Sequence, residues 1–440
     1  MERLPHVSLP SRGGAHDNGL RILQLTDLHL FPSKMVEWAN GSHKAVPLDV
    51  PRADGRAPYS TSACLRLCGE LSVAVRPHLV VLTGDVVDGR PYGEMALGPD
   101  AWRECFENLV MPLVAAGIPW TFVPGNHDDD CSPWSRDALL AVYALEGCAS
   151  RGATSFNHTF TVSVGDDGAP TRLFFFDSGG NDAKHAYGTV DSSAVAEFAA
   201  FNDAEAERAS RGAPQGAAPS AANGLAFFHI PLPETAALDP VVGHNGLFDA
   251  ALAGGKVPKP WCWLPFIVRF LGKDRIVGCS KLNSGLFDEF VRTRAVRACF
   301  FGHDHHSDAV FQRDGVYMAY GRFSSCLPPS DWEGKSPLPF APGGRVIEVR
   351  APRESEREAC IATWVVTSAG EVPRSRVVLD ALREEDQGSS SAVDGGVRRT
   401  GTSAAAAAAG AMLLAAAAAF FVWQRRRAAK KTGAGDPGRT

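Results

Sequence analysis

The sequence predicts an α/β domain in which helices cover a buried central sheet, and two observations carry that expectation. Short apolar runs recur, each closed by turn residues: RILQL (21–25), LVVLTGD (79–85), WTFVPG (120–125), RLFFFDS (172–178), LAFFHIP (225–231) and ACFFGH (298–303). Their hydrophobicity is continuous rather than alternating, as in strands covered on both faces. Between several of them lie helical patterns, at 61–75, 101–117 and 192–209. Strands alternating with helices build a layered α/β domain.

Taken in order, residues 1–19 read as a disordered lead-in, and the domain is expected over 20–367. Two segments interrupt its rhythm: a polar connection with four prolines at 31–60, and a low-complexity loop at 210–223. A dense apolar insertion, PWCWLPFIVRFLGK (260–273), reads either as a helix packed on the core or as a lid or membrane-touching patch. Strand texture returns at RVIEV (345–349) and ATWVV (362–366), and 368–403 reads as a linker. Residues 404–423, AAAAAAGAMLLAAAAAFFVW, are twenty uncharged residues, about the length of a bilayer span. A basic tail, 424–440, follows. The start lacks the apolar stretch of a signal peptide.

Bulk properties narrow the function. The net charge of −5 is spread along the chain, so no nucleic-acid partner is expected. Ten cysteines contain no CxxC pair, which argues against a zinc ribbon or a dithiol redox motif.

The chemistry gathers where the apolar runs end. RILQLT is followed by Asp27 and His29, and LVVLTG by Asp85. WTFVPG delivers Asn126, His127 and Asp128, LAFF delivers His229, and ACFFG delivers His303 and His305. Carboxyl ends of strands in an open α/β sheet share one edge, so these groups should meet in one crevice. Oxygen and imidazole donors without thiolate suit Zn, Mn or Fe. Seven donors (Asp27, His29, Asp85, Asn126, His229, His303 and His305) are too many for one ion and fit two that share a carboxylate. Such a pair can clamp the attacking and leaving oxygens at phosphorus and acidify a bridging water.

The ordered motifs TDLH, GD, GNHD, a lone His after an apolar strand, and GHDH resemble the calcineurin-like metallophosphoesterases. FFHIPLPE (227–234), CSKLNSGLF (279–287) and DSG followed by YG (177–179, 187–188) bring the likeness closest to the plant and fungal purple-acid-phosphatase-like branch. The resemblance implies a four-layer αββα sandwich. Asp27, His29, Asp85 and His305 would hold one ion, and Asp85, Asn126, His229 and His303 the other. His127 would protonate the leaving alkoxide, with Asp128 orienting its ring. It implies a phosphate-ester substrate, with monoester hydrolysis the leading reading. A diester of the same chemistry and a membrane-tethered, non-catalytic binding protein are the alternatives. One departure stands out: purple acid phosphatases carry an iron-binding tyrosine three residues after the GD aspartate, and Asp88 stands there.

The expected location is a membrane held by one C-terminal transmembrane helix. Phe420, Phe421 and Trp423 lead into QRRRAAKK, as at an interface followed by a cytoplasmic stop. That places the catalytic domain outside the cytosol. A tail anchor with the domain in the cytosol is the alternative.

Overall fold

The computed structural model describes residues 1–11, 19–32, 61–88, 98–130, 134–165, 170–212, 224–244, 277–325, 341–350 and 360–379. The insertion at 260–273, the transmembrane segment at 404–423 and most of the connections at 31–60 and 210–223 lie outside these residues. No helix of the described residues is long and apolar enough to cross a membrane.

The apolar runs become strands in two sheets. In one sheet, β1 (Gly19–Leu25), β2 (Leu79–Thr83) and β3 (Trp120–Val123) run parallel in that order. The other is built on β4 (His158–Val164), β5 (Thr171–Phe175), β6 (Gly224–Phe227), β7 (Val296–Phe301), β8 (Val310–Arg313) and β9 (Val316–Tyr320). There β5, β6, β7 and β9 are parallel neighbours, while β8 closes one edge antiparallel and β4 pairs antiparallel with β5. β10 (Gly343–Arg350) and β11 (Cys360–Thr367) return to the first sheet, β10 lying antiparallel beside β1.

Three apolar clusters show how the layers stack. Leu20, Ile22, Leu79 and Val81 of the first sheet meet Phe160, Phe175, Phe227 and Phe300 of the second between the sheets. Leu23, Leu25, Val80 and Leu82, the alternate residues, pack outward on α1 (Thr61–Val75) and α2 (Pro99–Ala115). Phe174, Ala226, Cys299 and Phe301 pack on α3 (Ser192–Gly212) and α4 (Leu286–Thr293). Each central strand is thus buried on both faces, which is why its sequence is apolar throughout. Helix, sheet, sheet and helix follow in layers, a mixed α/β architecture as expected. Cys64 and Cys68, four apart on α1, are both buried in the helix–sheet layer.

Two boundaries differ from the expectation. Residues 1–19 are not all a loose lead-in, because Glu2–Arg3 and Val7–Leu9 pair in parallel with β4. Edge strands of two or three residues are held by backbone pairing and leave little apolar signal. At the other end the sheet does not stop at 367, since Gly370–Glu371 and Val377–Leu379 both pair with β11. A linker beginning at 368 is therefore wrong.

Candidate metal centre

The parallel strands of each sheet end on one edge, and the site residues lie two to four residues past those ends. Asp27 and His29 follow β1, Asp85 follows β2, Asn126 and His127 follow β3, His229 follows β6, and His303 and His305 follow β7. The turns that carry them are tight. Asp27, His29, Asp85 and His303 all have left-handed backbone, with φ of 53°, 49°, 49° and 78°. Non-glycine residues in that region cost roughly 1–3 kcal/mol each and collect where function needs them. The β1 and β2 loops are also joined by backbone: Asp27 N–H donates to Gly84 O at 3.1 Å and His29 N–H to Asp85 O at 2.9 Å.

Two glycines permit this crowding. Gly84 has φ 83°, and a Cβ there would run into His229 Nδ1 and the Gly125 backbone. A Cβ on Gly302 would collide with Thr26 Oγ1 and Asp27 Oδ2. The glycines of GD and GHDH are there for space.

Among the described residues, two groups of side chains could each hold an ion: Asp27, His29 and His305, and Asp85, His229 and His303. Two donors on one ion at about 2.1 Å, 90–110° apart, lie roughly 3.0–3.4 Å from each other. His29 Nε2 is 3.1 Å from His305 Nε2, and Asp27 Oδ1 is 3.4 Å from His305 Nε2. In the second group His229 Nε2 lies 3.2 Å from Asp85 Oδ2. Asn126 Oδ1 joins it, 3.1 Å from His229 Nε2 and 2.8 Å from His303 Nδ1. Asp85 Oδ2 is also 3.8 Å from His29 Nε2, which sets this carboxylate between the groups. All seven expected donors are brought together, and their spacing fits two ions.

The surroundings fix these side chains. His229 Nδ1–H donates to Thr83 O at 2.7 Å, turning Nε2 to the site. Asp27 accepts Thr26 Oγ1–H at 2.9 Å and the His303 N–H at 3.0 Å. Asp88, at the tyrosine position, is buried with Oδ2 3.6 Å from His29 Nδ1. Tyr187 meets the His303 ring edge-on, centroids 4.3 Å apart.

The charges respond to burial and to one another. Burial works to raise Asp85, but His229, His127 and His29 overcome it and hold the carboxyl well below the usual range. Burial disfavours the His229 cation, yet Asp85 and Asp27 raise it to about 9. His303 is pushed down to about 3 by burial and by the neighbouring His229. Burial, aided by the Asp85 charge, raises Asp128 to about 7.

Asp128 is not where the sequence put it. Its carboxylate is fully buried and accepts three backbone N–H groups: Asp85 at 2.9 Å, Val87 at 2.9 Å and Gly125 at 2.7 Å. It ties the GNHD loop to the GD loop. The ring of His127 meets Asp130 instead, with Nδ1 2.5 Å from Oδ2. The His127 side chain is 21% exposed, open enough to meet a ligand.

Residues that sequence reasoning missed complete the loop. Arg136 donates through Nε and Nη2 to Asp177 at 2.9 Å, and through Nη1 to Asp129 Oδ1 at 2.6 Å and Gly125 O at 2.8 Å. Burial opposes its charge, but Asp177 and Asp129 raise its pKa and keep it protonated. Asp177 thus shapes the loop through Arg136. A single arginine eight residues past GNHD carries no sequence signal that separates it from a surface charge.

The calcineurin-like phosphoesterase family profile matches residues 20–307. Curated relatives from Arabidopsis thaliana include "Probable inactive purple acid phosphatase 28", 26% identical over 348 residues and 73% of each chain. "Probable inactive purple acid phosphatase 29" is 23% identical over 320 residues, 68% of this chain and 70% of that one. A crystal structure of a dimetal phosphatase from Danio rerio aligns over 82% of this chain and 99% of its own, with a TM-score of 0.47 and 11% identity.

Proposed function

Because the chain belongs to the calcineurin-like phosphoesterase family, in its purple-acid-phosphatase-like branch, we propose that it hydrolyses phosphate monoesters at a dinuclear metal centre. The observation that supports this most is the convergence of seven donors at two-ion spacing beside His127. Asp27, His29, Asp85 and His305 would hold one ion, and Asp85, Asn126, His229 and His303 the other, with Zn, Mn or Fe as candidates. When bound, such a pair supplies Lewis-acid charge and acidifies a bound water.

The chain's own part is arrangement and proton transfer. Asp85, between the two groups, sets their separation. Asp27 is fixed by Thr26 and the His303 amide, so its carboxylate is presented in one orientation. His127 holds the proton that a leaving alkoxide needs. With Asp88 beside His29 in place of a tyrosine, a purple ferric–tyrosinate centre is not part of this reading.

A second reading has a specific observation behind it. The Arabidopsis relatives bear the word "inactive" in their names, which favours a binding protein that keeps the fold. Purified full-length protein, assayed with p-nitrophenyl phosphate and bis-p-nitrophenyl phosphate with and without added metals, separates the readings. Monoester turnover that needs metal supports the proposal. Turnover of the diester alone makes it a phosphodiesterase, and no turnover of either by metal-loaded protein makes it a binding protein. Residues 404–423 would anchor the enzyme in a membrane, with the domain on the extracytosolic side.

A further inference from the structure

The open side of the centre carries a hydrogen-bonded chain that neither metal group accounts for. His127 Nδ1 meets Asp130 Oδ2 at 2.5 Å. Asn181 Nδ2 donates to Asp130 Oδ1 at 2.8 Å, and Asn126 Nδ2 donates to Asn181 Oδ1 at 3.1 Å. What each group can do orders the chain. A carboxylate only accepts, so Asp130 sets the hydrogen on Nδ1 and leaves Nε2 turned away from it. An amide donates from nitrogen and accepts at oxygen, so Asn181 faces Asp130 with one end and Asn126 with the other. With its nitrogen engaged there, Asn126 presents Oδ1 to His229 and His303. Asn181 sits on a small hairpin opposite Tyr187, whose ring packs on His303. One surface hairpin thus contacts two donors of the second group and the partner of His127.

We propose that Asp130 and Asn181 are a positioning pair. Asp130, by accepting the Nδ1 hydrogen, fixes the direction of the His127 ring so that its Nε2–H is the one offered to the leaving alkoxide, and Asn181 ties that carboxylate to the orientation of the Asn126 ligand oxygen. The His127 half rests on the phosphoesterase reading above. The Asn181 half concerns ligand geometry and stands without turnover.

The test uses the full-length, metal-loaded chain, an alkyl phosphate (glycerol 2-phosphate) and p-nitrophenyl phosphate. Asp130→Ala should lower kcat on the alkyl ester by about 10–100-fold with KM nearly unchanged. The nitrophenyl ester, whose leaving group needs little protonation, should lose less than about threefold. Asp130→Asn, which keeps an acceptor oxygen for the ring, should recover part of the alkyl-ester loss. Asn181→Ala should weaken one of the two metal sites by about 10–100-fold, read by competition with a chelator and metal analysis. Equal losses on both esters, or an alkyl-ester rate unchanged in Asp130→Ala, would overturn the Asp130 role. Unaltered metal affinity in Asn181→Ala would overturn the Asn181 role. If the wild type hydrolyses neither ester, the phosphoesterase reading fails and the Asp130 role with it, while the Asn181→Ala metal titration still decides the Asn181 role.

Discussion

Replacing Asp128 with alanine separates a structural anchor from a catalytic partner. The substitution removes the acceptor of three buried amides, those of Asp85, Val87 and Gly125, bonded at 2.7–2.9 Å. No other acceptor is offered to them by an alanine side chain. Each buried donor left unsatisfied costs on the order of 1–3 kcal/mol. Partial access of water to a loosened loop brings the sum to roughly 3–5 kcal/mol. In a unit the size of Met1–Leu382, that lowers Tm by about 1.2 °C per kcal/mol, so roughly 4–6 °C. Asp128→Asn should cost about half as much. Its oxygen can take the place of Oδ2 and keep the Asp85 and Gly125 amides, while its NH2 then faces the Val87 N–H. The assay is thermal unfolding of the metal-loaded proteins, alongside kcat on alkyl and nitrophenyl phosphates. An unchanged Tm with a loss confined to the alkyl ester would refute this reasoning, because it would make Asp128 the partner of His127 after all.

Asp85→Asn should deplete both metals, since Asp85 Oδ2 lies 3.2 Å from His229 and 3.8 Å from His29; two metals retained per chain would show that it is not shared. His158 is buried, accepts from Ser150 Oγ at 2.8 Å through Nε2, and is lowered to about 4 by burial. The unfolded chain takes up this proton near pH 6.5 and the native one only near 4, so stability falls as pH drops through that window. The penalty reaches about 2 kcal/mol by pH 5. His158→Gln should therefore lose about 2 kcal/mol less than the wild type between pH 7 and 5 in denaturant titrations, and parallel losses would contradict this. For the tail, alkaline carbonate should leave the full-length protein in the membrane pellet, whereas a chain ending at Thr402 should be released. Release of the intact protein would remove the anchor.

Strand ends were the legible part of this molecule. A strand buried on both faces must be apolar along its length, so the first polar residue after Leu25, Val123 or Phe301 marks an edge and what stands on it. Order and spacing then bring Asp27, His29, Asp85, Asn126, His229, His303 and His305 to one place. The outer strands were harder to read. HTFTVSV in β4 mixes hydroxyl and apolar residues, and His158 is accommodated there only because Ser150 and the backbone carbonyls of Ser155 and Phe156 satisfy its ring. The GNHD loop hid its assignments for a different reason. Three aspartates stand in a row at 128–130, and spacing cannot say which turns inward. The fold gives each a distinct partner: Asp128 the backbone amides, Asp129 the Arg136 guanidinium, and Asp130 the His127 ring. Arg136 and Asn181 come from other segments, so only the assembled loops reveal them.

The central claim is that this centre turns over phosphate esters through two bound ions, and metal stripping with reconstitution tests it most directly. Full-length protein dialysed against a chelator should lose p-nitrophenyl phosphate hydrolysis. Readdition of Zn, Mn or Fe should restore it in step with binding, reaching its plateau at two ions per chain. A protein that binds two ions per chain and hydrolyses neither the monoester nor the diester would contradict the claim.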